Sequence, residues 1–197
     1  MALFVSLWIK LFFVLTPFFG LTMFLGMTEG YDTVRRRRLA LAVSAAVALT
    51  SLVLFFAGRQ IFSVFGITLD SFRIGAGVLL FLSGIRLVHG SPGAAGTTGD
   101  GDVAVVPLAI PILVGPATTG TLLVMGAELN TLWAKAVGCS ALLLAVACVG
   151  AVLLAASFIQ RCLGTRGIAI LSRLTGLILA AIAAQMIMTG IQGFLGI

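Results

Sequence analysis

The chain has 197 residues, of which 60% are hydrophobic and 9% charged, with a formal net charge of +6 and a mean hydropathy of +1.23. This composition excludes a soluble globular domain and predicts an all-α polytopic membrane protein. The positive charge does not indicate nucleic-acid binding, because a third of the 12 basic residues form one run between apolar segments, at residues 35–38.

Six apolar segments are long enough to cross a bilayer, which takes about 20 residues. They lie at residues 3–27, 39–58, 71–90, 103–126, 132–157 and 169–194. Only short connections remain, so we expect one membrane domain over residues 1–197. The first segment has no basic region before it and Lys10 within it, which favours an uncleaved span over a signal peptide.

The first segment is interrupted by Thr-Pro-Phe-Phe-Gly at residues 16–20. Proline has no N–H and ends or kinks a helix, but it is favourable in the first turn of a new one. We therefore expect two half-helices, the second beginning near Pro17. The free N–H groups and the positive dipole end of the second half-helix would then lie near the middle of the membrane.

The arginine run at residues 35–38 follows the first segment and sets the predicted orientation. Positive residues collect on the cytoplasmic side, so the N-terminus is expected outside, and six spans return the C-terminus to the outside. Alternation places further basic residues inside, namely Arg86, Arg161, Arg166 and Arg173. It places others on or near the outer side, namely Lys10, Arg59, Arg73 and Lys135. A second interpretation of the run is contact with anionic lipid.

Residues 91–102 are rich in Gly, Pro and small polar residues, and we expect a flexible cytoplasmic linker between halves at residues 1–90 and 103–197. Its Asp100 and Asp102 supply too few oxygens for a calcium site. Beyond the linker, the fourth segment is interrupted by Gly-Pro-Ala-Thr-Thr-Gly at residues 115–120.

The two halves match in order along the chain. At an offset of 99 residues the matches are Pro17 with Pro116, Thr22 with Thr121 and Glu29 with Glu128. At an offset of 100 they are Arg73 with Arg173, Leu79 with Leu179 and Gly90 with Gly190. Each half has three segments, so the second enters the membrane in the opposite sense. We therefore expect two inverted three-helix repeats whose first and fourth helices are broken, which indicates a transporter with its binding site at the breaks.

The candidate substrate site consists of residues at both breaks. Its members are Thr16, Pro17, Phe18, Phe19, Gly20, Gly115, Pro116, Ala117, Thr118, Thr119 and Thr121. Helix N-termini bind carboxylates, and the hydroxyls are polar without charge. Gly20 and Gly120 leave room for a small ligand or for close helix crossing, and the phenylalanines form a wall on one side. This combination suits a small zwitterion. The other interpretation is a pair of proline kinks whose threonines satisfy freed backbone groups.

All acidic residues lie in connections or at segment ends, which leaves no evident carboxylate relay for protons. They are Glu29, Asp32, Asp70, Asp100, Asp102 and Glu128. Glu29 and Glu128 close the two broken segments and are candidates for gating or coupling, with solvated helix ends as the alternative. Sodium held by carbonyls and hydroxyls is easier to build here than a proton path.

The sequence shows no set of nucleophile, base and acid, so we expect no enzyme, no cofactor and no metal site. The lone histidine, His89, ends a segment, and the three cysteines fit no metal spacing. The cysteines are Cys139, Cys148 and Cys162.

The chain resembles the MarC family of bacterial and archaeal inner-membrane proteins over nearly its whole length. In the first half the resemblance is carried by residues 16–20, Met-Thr-Glu-Gly at 27–30, Phe-Gly-Ile at 65–67 and Phe-Arg-Ile-Gly-Ala-Gly at 72–77. In the second half it is carried by Val-Pro-Leu-Ala-Ile-Pro at 106–111, Gly-Pro at 115–116 and the stretch at 176–185. The chain departs from the family's usual Asn-Pro-x-Gly at Thr16 and from its usual glycine at Ala117.

The resemblance implies a six-span protein of the cytoplasmic membrane, related to the SnatA-type transporters of small neutral amino acids, with a substrate region at residues 17–20 and 115–121. We expect a secondary transporter of the glycine, alanine and serine class, with alternating access around the breaks. The expected partners are that substrate, Na⁺ or H⁺ as coupling ion and the lipid bilayer. Three other interpretations are an exporter of other small or apolar solutes, a passive pore and a non-transporting scaffold.

Overall fold

A computed structural model describes residues 2–90 and 113–196, and the elements within these ranges are α-helices. They are α1 (Ala2–Val14), α2 (Pro17–Met27), α3 (Thr33–Phe65), α4 (Leu69–His89), α5 (Pro116–Glu128), α6 (Leu132–Leu154) and α7 (Ala156–Leu195). The prediction of an all-α fold is confirmed. The predicted linker and the first part of the fourth segment, up to residue 112, lie outside the described residues.

Five stretches of the described residues are long and apolar enough to span a membrane. They are Leu3–Met27, which contains α1 and α2, together with α3, α4, α6 and α7. They correspond to five of the six predicted segments. Of the fourth segment, the described part includes α5, which has 13 residues.

Side-chain caps fix where three of these helices begin. The backbone N–H groups of Arg35, Ser71 and Ala134 donate to Asp32, Thr68 and Thr131 at 3.2, 3.2 and 3.1 Å, and so satisfy donors that a helix start leaves free. Because α3 begins at Thr33, the arginine run lies on its first turns. The run, which the sequence places between two apolar segments, is therefore helical.

Helix α7 has 40 residues and bends once. Gly164 has φ 63° and ψ 175°, outside helical geometry. A positive φ favours glycine, which has no Cβ to clash. The bend separates a short first part, residues 156–163, from a membrane-length second part that contains the predicted sixth segment.

Helices α4 and α7 form the most extensive helix pair and run antiparallel. A Cβ on Gly84 would lie 2.8 Å from the Gly176 carbonyl oxygen, so the two backbones meet closely where small residues permit it. At one end of the pair Gly190 faces Arg73, and at the other Gly90 faces Arg173. The Arg–Gly set that matched between the two halves of the sequence therefore recurs at opposite ends of this pair.

The two short helices that begin with proline pack against the opposite half of the chain. Helix α5 packs chiefly against α3 and α4, and α2 packs against α6 and α7. The largest buried apolar cluster fills the space between α1, α2, α3, α5 and α6, and its members include Leu11, Phe24, Val47, Leu122 and Leu142. This core packs α2 through Leu21 and Phe24, and α5 through Leu122 and Met125.

Candidate functional site

The first break is the two-residue connection between α1 and α2. Thr16 adopts the left-handed conformation, with φ 47° and ψ 57°, and Pro17 follows at the first helical position. The Gly20 N–H donates to the Thr16 carbonyl at 2.9 Å, which is the first hydrogen bond of α2. A β-branched residue at positive φ is strained, and such strain is concentrated at functional sites.

Helix α5 begins with the same local pattern. Pro116 occupies its first position, and the Thr119 N–H donates to the Gly115 carbonyl at 2.9 Å. The missing proline N–H costs nothing there, because the first turn has no acceptor for it. Gly115 differs from Thr16 in being extended, with φ −78° and ψ 179°, and this conformation carries no strain.

Thr118 connects the two breaks. Its buried Oγ1 donates to the carbonyl of Val14, the last residue of α1, at 3.1 Å. It also lies 3.2 Å from the Leu113 carbonyl, ahead of α5. A hydroxyl is thereby shared between a carbonyl that α1 leaves free and one that precedes α5. The breaks are therefore neighbours in space. Thr118 satisfies freed backbone carbonyls, as expected if the breaks are proline kinks.

The glycines at the breaks serve close packing. A Cβ on Gly20 would lie 2.6 Å from Leu113 Cδ2, and one on Gly120 would lie 2.6 Å from Ala76 Cβ. The space that a side chain would take is thus filled by neighbouring residues, which agrees with close helix crossing, one of the two roles expected for these glycines.

Five other predicted residues lie at the breaks with different degrees of burial. Phe18 and Phe19 are half-buried, and Phe18 packs edge-on against Phe12 with 6.5 Å between ring centroids. Ala117 is buried, Thr119 half-buried, and Pro116 exposed.

A cavity of about 580 Å³ lies next to the breaks, between α1, α5 and α7. It is lined from α1 by Ser6, Ile9, Lys10 and Phe13, from α4 by Arg73, from α5 by Thr121, Val124, Met125 and Glu128, and from α7 by Ile178, Ile182, Gln185, Met186 and Thr189. Spacings of three and four residues place each set on one helix face. The α7 set extends over about 16 Å of helix.

Thr121 and Glu128 are the predicted site residues that line this cavity. Thr121 Oγ1 donates to the Ala117 carbonyl at 2.9 Å, within its own helix. Phe13, which precedes the first break by three residues, also lines the cavity. The cavity therefore approaches the breaks from the end of the bundle that carries Arg73, which we call the Arg73 end.

The Arg73 end carries an ion-pair cluster that joins the two halves of the chain. Arg73 donates to Asp70 Oδ1 at 2.6 Å, and to Glu128 Oε1 at 2.7 and 2.9 Å. The Arg73 side chain is 15% exposed and that of Glu128 37%. Glu128 is thus bound to α4, whereas Glu29 is exposed and has no ion pair among the described residues. A link between Arg59 and Asn130 reinforces this end.

At the opposite end of the bundle, one arginine of the run connects three helices. Arg36 donates to Ser157 Oγ at 2.7 Å and to the carbonyl of the buried Thr28 at 2.8 Å. It thereby connects α3 to the end of α2 and to the first part of α7. One member of the run thus has a structural role in addition to its charge.

Sequence reasoning missed several residues that line the cavity, above all Lys10 and Arg73. Lys10 did carry a signal, because it interrupts an otherwise apolar segment, and an ionisable residue inside a span indicates a functional site. Arg73 stood out in the repeat and in the family stretch, but no local pattern indicated its pairing, because its partner Glu128 is 55 residues away in the chain.

Within the described ranges, no group of three or more His, Cys, Asp or Glu residues is placed to hold a metal ion. The cysteines are unpaired there: Cys139 and Cys148 are half-buried, and Cys162 is exposed.

The family model for MarC family integral membrane proteins matches residues 1–195 of the chain. A UPF0056 membrane protein of Methanocaldococcus jannaschii is 35% identical over 94% of both chains. A similar protein of Aquifex aeolicus is 31% identical over 98% of this chain and 94% of its own length. The UPF0056 inner membrane protein YhgN of Escherichia coli K12 is 30% identical over 95% of both chains. No solved structure matches the chain.

Proposed function

The chain belongs to the MarC family of integral membrane proteins, and we propose that it is a secondary transporter of small neutral amino acids. The observation that carries this proposal is that two helices beginning with proline start close together, next to a cavity of about 580 Å³. The Thr118 hydroxyl hydrogen-bonds to a backbone carbonyl at each of the two breaks. Broken helices with their N-termini at a polar site are the arrangement in which many secondary transporters hold an anionic group.

The packing of the short helices supports two inverted repeats. A two-fold axis in the membrane plane would relate α5 to α2, and α3 and α4 to α6 and α7. If α5 packs against α3 and α4, α2 should then pack against α6 and α7, and both contacts occur. It likewise exchanges the Arg73–Gly190 contact for the Arg173–Gly90 contact. Rocking of one half against the other would then open the breaks to each side in turn.

The charges at the cavity support a substrate without net charge. Lys10 and Arg73 are balanced by Glu128, which also lines the cavity, and by Asp70, which is bound to Arg73. In this proposal the carboxylate of the substrate reaches the helix starts at Pro17 and Pro116. Na⁺ or H⁺ is the coupling ion.

The polarity of the cavity favours this function over export of apolar solutes, because half of its lining residues carry polar or charged side chains. A scaffold protein would need no such cavity. We place the protein in a bacterial or archaeal cytoplasmic membrane, with both termini outside. The E. coli relative YhgN, which is named as an inner membrane protein, supports that location.

The test is uptake of labelled alanine into proteoliposomes that contain the purified protein, with sodium and pH gradients imposed separately. We expect saturable uptake driven by one gradient. Absence of uptake under either gradient, with folded protein, would contradict the proposal. Channel-like conductance without counterflow would favour a pore.

Variants at the α5 start test the site itself. Pro116→Ala and Thr119→Val should abolish uptake while the protein remains folded. Thr22→Val is the matched control, because Thr22 is exposed and its hydroxyl donates within its own helix to Phe18 at 3.0 Å. Wild-type uptake by both α5 variants would exclude this site.

A further inference from the structure

Lys10 is the one charged residue of α1, and it lines the cavity. It lies seven residues after Leu3, where the first membrane span begins, which is about 10 Å along a helix. With Leu3 taken as the membrane boundary and a hydrocarbon core about 30 Å thick, Lys10 is expected roughly a third of the way across. A charge at that depth is costly against lipid and is retained where it faces water or a ligand.

No ion pair among the described residues includes Lys10. The other cation of the cavity, Arg73, is occupied by carboxylates at each of its three nitrogens, two of them bound to Glu128. Lys10 is therefore the cationic group of the cavity that remains available to a ligand.

The cluster of Asp70, Arg73 and Glu128 carries two negative charges and one positive charge. Its excess negative charge lies on the wall formed by α4 and α5, whereas Lys10 lies on α1. The cavity thus presents a cation and an anionic cluster from different walls.

An α-amino acid carries a carboxylate and an ammonium group on the same carbon, so each of its charged groups has an oppositely charged counterpart on the cavity walls. We propose that the cavity is an entry site for amino acid zwitterions, in which Lys10 binds the carboxylate and the Asp70–Arg73–Glu128 cluster attracts the ammonium group. This inference rests on the proposed function and adds the residues that select the substrate before it reaches the breaks.

The test compares three ligands by calorimetry on the purified full-length protein in detergent. Alanine has both charged groups, alaninamide lacks the carboxylate and propionate lacks the ammonium group. The wild-type protein should bind alanine more tightly than either analogue. Lys10→Met should weaken alanine binding by about tenfold or more, because it removes one partner of a charge pair, and should leave alaninamide binding nearly unchanged.

Lys135→Met is the matched control. Lys135 lies in the first turn of α6, near the Arg73 end, and does not line the cavity. Its loss should leave alanine binding as in the wild type. Lys10→Arg keeps the charge and should retain the preference for alanine over alaninamide. If Lys10→Met does not fold, Lys10→Gln replaces it in the same comparison.

Wild-type alanine binding by the Lys10 variant would overturn this inference and leave the proposed function standing. An equal loss of alanine and alaninamide binding would also overturn it, because Lys10 would then support the structure and not the carboxylate. Absence of alanine binding by the wild-type protein would overturn both proposals.

Discussion

Helices α2 and α5 begin alike but lie in different surroundings. Both have proline at the first position, and in both the first hydrogen bond runs to the capping residue's carbonyl. Helix α5 is buried along nearly its whole length, at Ala117, Thr118 and each residue from 120 to 127. Helix α2 is buried at Pro17, Gly20, Leu21 and Phe24. The same local sequence signal thus produces one central helix and one peripheral helix.

The two breaks are therefore not structurally equivalent in the present conformation. Helix α5 contributes a face to the cavity, and α2 contributes none. The segments ahead of the breaks differ as well, because α1 carries Lys10 and residues 103–114 carry no charge. Two helices that begin alike thus make different contacts, because their side chains and surroundings differ.

The largest expected effect comes from a glycine near the C-terminal end of each of the two helices. A Cβ on Gly126 of α5 would lie 1.8 Å from the Phe55 carbonyl oxygen, whereas one on Gly26 of α2 meets nothing within 4 Å. Gly126→Ala should therefore destabilise the protein by about 3 kcal/mol. Gly26→Ala should stabilise it by about 0.5 kcal/mol through helix propensity. Thermal unfolding in detergent measures both, and equal effects would contradict the difference in packing.

Thr118→Val should have the next largest effect. The change leaves the buried carbonyls of Val14 and Leu113 without the hydroxyl, at a cost of about 1–3 kcal/mol. Thr22→Val removes an exposed hydrogen bond within α2 and should change the melting temperature little. A stable Thr118 variant would show that the hydroxyl does not hold the breaks together.

Thr16→Asn should stabilise the protein by about 1 kcal/mol, because asparagine tolerates the left-handed conformation that strains threonine. No such gain is available at the α5 start, since Gly115 is extended. A higher melting temperature of the variant would support strain at Thr16. A lower one would show that the threonine side chain stabilises the first break.

Glu128→Gln should have the smallest effect on stability, at most about 1 kcal/mol, because the ion pair with Arg73 is partly exposed. Glu29→Gln should have none, since Glu29 is exposed. A double-mutant cycle with Arg73→Gln isolates the pair. A coupling energy of zero would show that the pair does not join the two halves.

The apolar runs predicted the helical membrane fold, and the prolines indicated where α2 and α5 begin, because both features act through local chemistry. Which helix becomes central depends on tertiary packing, such as the fit of Gly126 against Phe55, and no local pattern encodes it. The hydrogen bond of Thr118 is to a carbonyl 104 residues away in the chain. The ion pair of Arg73 is with a carboxylate 55 residues away. Lys10 alone carried a readable signal within its own segment.

The most direct test of the account is protection of a single cysteine in the cavity by alanine. Thr189→Cys is placed in a variant without the native cysteines and labelled with a membrane-impermeant thiol reagent. Ser71→Cys is the control, because Ser71 is exposed on α4 near the Arg73 end and does not line the cavity. The account predicts that alanine slows labelling at position 189 and not at position 71. Equal labelling at position 189 with and without saturating alanine would contradict it.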